Sequence, residues 1–190
     1  MNAKWAVLAM LAWLSGCATL APAPAVAPVT YPFIASFQVT GRIAVRHDQD
    51  GFSGNITWRH TPLEDTFVIL APLGQGIARI TKNAEGVMLE TADGKVRHAA
   101  DAETLTEQAL GFRLPLAGLP YWVQGKPVSD AAVLRYNSDG LLDFLGEQGW
   151  QIDYLGYRPV GSVKLPGKVF MEGAKLSLRL LIDDWQVPAP

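Results

Sequence analysis

The chain has 190 residues, 16 basic and 18 acidic side chains, a net charge of −2 and an apolar share of 49%. That is one domain's worth of sequence, long enough for a real core and too short to argue for two. Its Lys and Arg residues are scattered singly, which sets nucleic-acid binding aside.

The N-terminus reads as a leader. Lys4 supplies a thin positive region and Trp5 to Leu14 a short apolar one, ending at Leu14-Ser15-Gly16-Cys17. A spanning helix would need roughly 20 apolar residues, and this run stops well short. Small residues before a cysteine form a bacterial lipobox, in which the sulfur takes a diacylglyceryl group and the freed amine a third acyl chain. Residues 1–16 are then a signal peptide, Cys17 is the lipidation site, and the loss of Lys4 changes the charge from −2 to −3. Lipidation also accounts for a single Cys in an exported chain, and leaves stability to the hydrophobic core rather than to disulfides. Ala18, where Asp would mark inner-membrane retention in enterobacteria-like sorting, points to the outer membrane by resemblance to that rule. Residues 17–35 form a tether: Pro22, Pro24, Pro28 and Pro32 among small residues favour an extended, poorly packed linker. The folded domain covers residues 36–190.

From Phe37 the period is two, with Val39, Ile43 and Val45 on one face and Gln38, Thr40, Arg42 and Arg46 on the other. Asp50-Gly51 signals a hairpin, and Phe52, Gly54, Ile56 and Trp58 then alternate with polar residues. Thr66 to Ala71 carries Phe67 and Ile69 on one side and Val68 and Leu70 on the other, as a central strand would. It ends in a Pro72-Leu73-Gly74 turn. Further strands follow at Ile77–Thr81, Val87–Thr91 and Val96–Ala99, completing an antiparallel meander.

Asp101 can cap a helix from Ala102 to Leu110, with Leu105 on its apolar side. A second short helix runs from Leu116 through Trp122 to Gly125, kinked or shortened at Pro120. Strands resume at Leu134–Tyr136, Leu141–Leu145, Trp150–Tyr157, Lys168–Met171 and Lys175–Ile182. Many short strands with two helices between them give an α+β fold in which one antiparallel sheet curls around the helices.

Little of the sequence suggests catalysis. His47, His60 and His98 lack ligand spacing, so no metal is expected; Gly74-Gln75-Gly76 lacks the strand-helix setting of a dinucleotide fingerprint; Ser53 is not in a nucleophile elbow; and Asp183-Asp184 reads as a solvated strand end. The chain is read as a non-enzyme without cofactors.

Gly41-Arg42, Trp58, Ala71-Pro72-Leu73-Gly74, Leu114-Pro115-Leu116, Trp122 to Gly125, Gly149-Trp150 with Tyr154, and the closing Leu178 to Trp185 strand occur in an order that resembles the LolB family of outer-membrane lipoprotein receptors. The resemblance implies an unclosed antiparallel half-barrel with short helices covering an apolar cavity. It implies cargo lipoproteins whose acyl chains enter that cavity, a periplasmic carrier, LolA, of similar fold that delivers them, and outer-membrane phospholipid that receives them. The protein would act as a monomer, lipid-anchored at the periplasmic face of the outer membrane. Leu73, with Pro72 and Gly74, matches the family's exposed membrane-insertion loop, whereas the sequence alone favours a turn Leu tucked onto the sheet. Candidate cavity residues are Ile43, Val45, Ile56, Trp58, Phe67, Ile69, Leu105, Trp122, Trp150 and Ile152, each of a type that also fills ordinary cores. The family usually has a helix before its first strand, and Thr30 to Gln38 leaves little room for one. The alternative reading is an envelope assembly lipoprotein that binds another protein through its apolar face; a hydrolase is a third, requiring a buried Ser or Asp beside a His.

Overall fold

The structure, a computed structural model, describes residues 27–71, 76–110, 113–173 and 175–188. The leader, Cys17 and the Pro72-Leu73-Gly74 turn lie outside the described residues. In chain order the elements are β1 (Phe37–His47), β2 (Asp50–His60), β3 (Asp65–Leu70), β4 (Gly76–Asn83), β5 (Gly86–Thr91), β6 (Val96–Ala99), α1 (Ala102–Leu110), α2 (Leu119–Trp122), β7 (Val133–Tyr136), β8 (Leu142–Glu147), β9 (Trp150–Leu155), β10 (Arg158–Val160), β11 (Val163–Leu165), β12 (Lys168–Gly173) and β13 (Leu176–Gln186). Residues 27–36 form no helix ahead of β1.

Eleven strands make one sheet in the order β6-β5-β4-β3-β2-β1-β13-β12-β9-β8-β7, and β10 and β11 form a separate hairpin. Every pairing in the large sheet is antiparallel. The first and last strands, β1 and β13, pair at its centre, while β6 and β7 stand at opposite edges. The sheet is therefore an unclosed half-barrel. The chain between its two edges, residues 100–132, carries both helices across the concave face, where Leu105, Leu114, Leu116, Leu119, Trp122 and Val123 are buried. This is the α+β half-barrel expected from the sequence.

Period-two alternation decides which side chains turn inward. On β1 Phe37, Val39, Ile43 and Val45 are buried and Arg42 and Arg46 exposed; on β13 the inward set is Leu176, Leu178, Leu180, Ile182 and, after an irregularity, Trp185. That irregularity lies opposite Thr40/Gly41, where the register shifts by one. Asp101 caps α1 as its sequence suggests, its Oδ1 accepting from Thr104 N at 2.7 Å.

Three local expectations change. The first hairpin turns at Asp48-Gln49, since His47 pairs with Asp50, and Asp48 takes the left-handed conformation (φ 50°) that Asp tolerates. Gly51 belongs to the ladder, where an added Cβ would sit 2.6 Å from Val45 O. Pro120 starts α2 instead of kinking it, because its missing N–H falls among donors that have no partner at a helix start. The strand beginning at Trp150 stops at Leu155, where Gly156 (φ 63°) turns the chain into the β10–β11 hairpin.

Gly41 is required at the β1–β13 junction, because a Cβ there would run into the carbonyl of Leu181 on the neighbouring strand. Gly41→Ala is expected to lower the unfolding free energy by about 1–3 kcal/mol. Urea titration checks this, with Ala44→Gly, a change on the outer face of the same strand, as the comparison.

Candidate functional site

The concave face and its covering segment enclose a wholly apolar cavity of about 40 Å³. Its walls are Ile43, Phe52, Ile56, Trp58, Phe67, Ile69, Ile80, Met171, Leu178 and Leu180, and its roof is Leu114, Leu116 and Leu119. Of the candidate residues, Ile43, Ile56, Trp58, Phe67 and Ile69 are brought together in this lining. The rest of the lining divides in two. Phe52, Ile80, Met171, Leu178 and Leu180 could be read from the same alternation, whereas the roof is mostly irregular backbone, with only Leu119 on a helix.

The other five candidates lie elsewhere. Val45 shares the concave face but is packed between Phe52 and Leu178, its cross-strand partners, outside the lining. Leu105 is fully buried on α1, which packs on β5 and β6. Ile152 is fully buried on β9, and Trp122 and Trp150 lie together with ring centroids 6.2 Å apart. Alternation identifies the inward face without saying which inward residues meet neighbours and which meet space.

Each fully or nearly buried indole has its N–H satisfied, as burial of Trp demands. Trp58 Nε1 donates to Asp65 Oδ1 at 3.0 Å, Trp122 Nε1 to Glu147 Oε2 at 2.9 Å, and Trp185 Nε1 to Pro166 O at 3.0 Å. Asp65 also meets His60 Nδ1 at 2.7 Å and Lys82 Nζ at 3.5 Å. Glu147 additionally accepts from Val128 N at 2.8 Å and Ser129 N at 2.6 Å, so one carboxylate at the end of β8 ties both α2 and the chain leading to β7. Burial pushes the Glu147 pKa up, but the hydrogen bonds from Val128, Trp122 and Ser129 outweigh it and leave the carboxyl below its usual range.

The roof is held at two further points. Thr106 Oγ1 donates to Ala102 O at 2.9 Å and accepts from Leu114 N at 2.9 Å, joining α1 to the roof. At the other end Gln124 accepts from Ile34 N at 2.9 Å and donates to Ile34 O at 3.1 Å and Pro120 O at 2.8 Å. Phe33 stacks on Tyr121 with centroids 4.8 Å apart, Lys126 Nζ donates to Tyr31 O, and Val29 N donates to Gly140 O at 2.8 Å. The tether was expected to stay unpacked as far as Pro32, yet from Val29 onward it is a strap laid against the roof. An extended Pro-containing backbone makes no internal hydrogen bonds, which leaves its N–H and C=O groups free for the roof's side chains.

Other chemistry is poorly provided for. His60 does lie beside buried Asp65, but no hydroxyl is hydrogen-bonded to that His among the described residues. Among those residues no group of His, Cys, Asp and Glu is placed to hold a metal, and no helix is long and apolar enough to cross a membrane. Asp183 and Asp184 are exposed as expected but do not end the strand: β13 continues to Gln186, and Asp183, at the register shift opposite Thr40/Gly41, pairs with Arg42 at 3.2 Å on the surface.

Residues 35–185, which include every wall and roof residue of the cavity, match the family described as "Outer membrane lipoprotein LolB". The chain belongs to the LolB family. A LolB of Thiobacillus denitrificans is 42% identical over 186 residues, covering 96% of this chain and 97% of that protein, and one of Nitrosococcus oceani is 34% identical, covering 97% and 99%. Both carry the name "Outer-membrane lipoprotein LolB". Among solved structures, a LolA superfamily protein of Nitrosomonas europaea aligns with a TM-score of 0.51 at 13% identity, covering 85% of this chain and 90% of that one. At that identity the likeness is one of fold, and it places this LolB-family chain with the LolA-type half-barrels.

Glu147→Gln puts an amide against three N–H donors and is expected to cost about 2 kcal/mol. A carboxylate with a lowered folded pKa stabilises above its unfolded value, near 4.5, and loses that contribution as pH falls through the folded pKa. Denaturant titrations of both proteins from pH 7 to pH 3 should therefore show a constant gap down to about 4.5 and a narrowing gap below it.

Proposed function

We propose that this chain, anchored through lipidated Cys17 at the periplasmic face of the outer membrane, takes lipoproteins from a LolA-type periplasmic carrier and passes them into the outer membrane. Residues 1–16 serve as the leader, and the tether from Cys17 gives way to the strap before the domain begins. The observation that carries this reading is the cavity, a space with only apolar walls beneath a separate roof on a sheet that does not close. Such a space suits hydrocarbon.

An acyl chain in water loses about 0.8 kcal/mol per methylene, so a triacylated protein needs continuous cover between membranes. The resting cavity of about 40 Å³ is far below the roughly 300–1,000 Å³ of ordinary ligand pockets. Uptake thus requires the roof to rise. Exposing Leu114, Leu116 and Leu119 costs on the order of 5–9 kcal/mol. Burying a chain of about 14 methylenes contributes about 11 kcal/mol. The two are close enough that cargo can enter and leave without a covalent step or a nucleotide. Leu73, between Pro72 and Gly74, delivers the cargo by entering the bilayer.

The test uses the mature chain carrying Cys17→Ala, mixed with carrier loaded with a radiolabelled lipoprotein. The label is expected to leave the carrier and co-migrate with this protein. Label that stays on the carrier, with the acceptor shown to be folded, would overturn the acceptor role and favour a lipoprotein that binds another envelope protein. In the lipid-anchored form, Leu73→Glu is expected to retain uptake and slow release into liposomes at least tenfold; unchanged release would remove Leu73 from the mechanism.

A further inference from the structure

Tyr154 carries the only buried side-chain polar atom, among the described residues, that lacks a hydrogen-bond partner. The residue is 2% exposed. An unpaired buried hydroxyl is costly and uncommon, and the other buried polar side chains in this domain are tied into the networks around the indoles and the roof.

Its position follows from the register. Tyr154 on β9 pairs with Val169 on β12, Val169 with Leu180 on β13, and Leu180 with Ile43 on β1. These four form one row across the concave face, and Ile43 and Leu180 line the cavity. Neighbouring strands lie about 4.8 Å apart, so Tyr154 stands about 10 Å from Leu180, with the fully buried Val169 between them. At the Tyr154 end the hydroxyl is close enough to the Glu147 carboxylate and the Tyr157 phenol for both to act on it, burial being the larger influence, and together they hold it well above the usual tyrosine range. It therefore remains a proton donor. Glu147 is the group that holds Trp122 of α2 in place, so the orphan hydroxyl sits where the covering segment is fastened to the sheet.

We propose that the Tyr154 hydroxyl donates a hydrogen bond to an acyl carbonyl of the bound lipid, the ester or amide C=O through which each acyl chain of a lipidated cysteine is attached. This deepens the acyl-chain reading of the cavity and rests on it. A row of hydrocarbon side chains that begins in the cavity lining at Ile43 and Leu180 and ends, past Val169, in one unused donor matches a ligand that is hydrocarbon with a single acceptor at its head. The ionised Glu147 nearby disfavours a carboxylate in that place, which selects esters and amides over free fatty acids. With the roof closed the hydroxyl has no partner, and lipid supplies one.

The experiment compares two fluorescent probes on the mature chain carrying Cys17→Ala: a diacylglyceryl ester lipid and its dialkyl ether analogue, which has the same hydrocarbon and no carbonyl. The parent chain is expected to bind the ester about fivefold to tenfold more tightly than the ether, the worth of one hydrogen bond. Tyr154→Phe should bring the ester down to the ether's affinity, leave ether binding unchanged, and leave the melting temperature level or higher because it removes an unpaired group. Equal binding of ester and ether by the parent, equal weakening of both by Tyr154→Phe, or a lower melting temperature would overturn the role of the hydroxyl while leaving the cavity's function intact. Binding of neither probe by the folded parent would overturn both.

Discussion

The pairing of the first strand with the last governs the rest of this molecule. Once β1 and β13 lie side by side at the centre of the sheet, β6 and β7 are left at opposite edges, and the chain joining them has to cross one face. It crosses the concave face because its own apolar residues need cover there as much as the strands do. The roof is thus a consequence of topology, and so is its independence. It is joined to the sheet through side chains, with no strand of its own in the ladder, and can separate from the sheet without breaking a strand pairing. The register irregularity at Gly41 lies on the same central junction, which is why a single methyl group there is expected to weaken the whole domain.

Two kinds of attachment share the concave face. Around the cavity, hydrocarbon packs on hydrocarbon, with no direction to the interaction and no penalty for rearranging beyond the area exposed. Buried carboxylates also fix indoles at hydrogen-bond distance: Asp65 holds Trp58, a wall of the cavity that stacks on Phe67 with centroids 4.9 Å apart, and away from the lining Glu147 holds Trp122 and two backbone N–H groups. Charge-assisted bonds of this kind are directional and expensive to leave unmade. Fixed indoles and repackable hydrocarbon thus stand side by side, which is what a site needs if it is to accept chains of varied shape without losing its frame.

The sheet was largely legible in the sequence and the roof was not. Strict alternation from Phe37 to Trp58 and from Leu176 to Ile182 fixed both strand identity and inward face. The capped helix at Ala102 was equally clear from Asp101. Leu116 and Leu119 read as one helix reaching Gly125, yet only Leu119–Trp122 is helical, because Pro115 and Pro120 interrupt the period and the burial of Leu114, Leu116 and Leu119 depends on strands far away in sequence. Trp122 and Trp150 lie against each other at 6.2 Å outside the cavity lining, while Trp58 lines it, and no sequence signal separates an inward aromatic that meets a neighbour from one that meets space. The hairpin of β10 and β11 escaped notice because two strands of three residues each are too short for alternation to show.

The strap adds a contribution whose size can be bounded. Its attachments to the roof are the paired bonds between Ile34 and Gln124, the bond from Lys126 to Tyr31 and the stacking of Phe33 on Tyr121. Three hydrogen bonds at about 1 kcal/mol each and one aromatic pair at about 1 kcal/mol come to roughly 4 kcal/mol at most, before the entropy of holding an extended segment in place is subtracted. That is smaller than the burial of the roof's three leucines and smaller than what a long acyl chain returns. The strap can therefore bias the roof toward closure without preventing a chain from opening it. The strap's first attachment, Val29 N to Gly140 O, precedes its contacts with Tyr121, Gln124 and Lys126, so one extended segment ties the β7–β8 turn to the end of α2, where Glu147 holds Trp122.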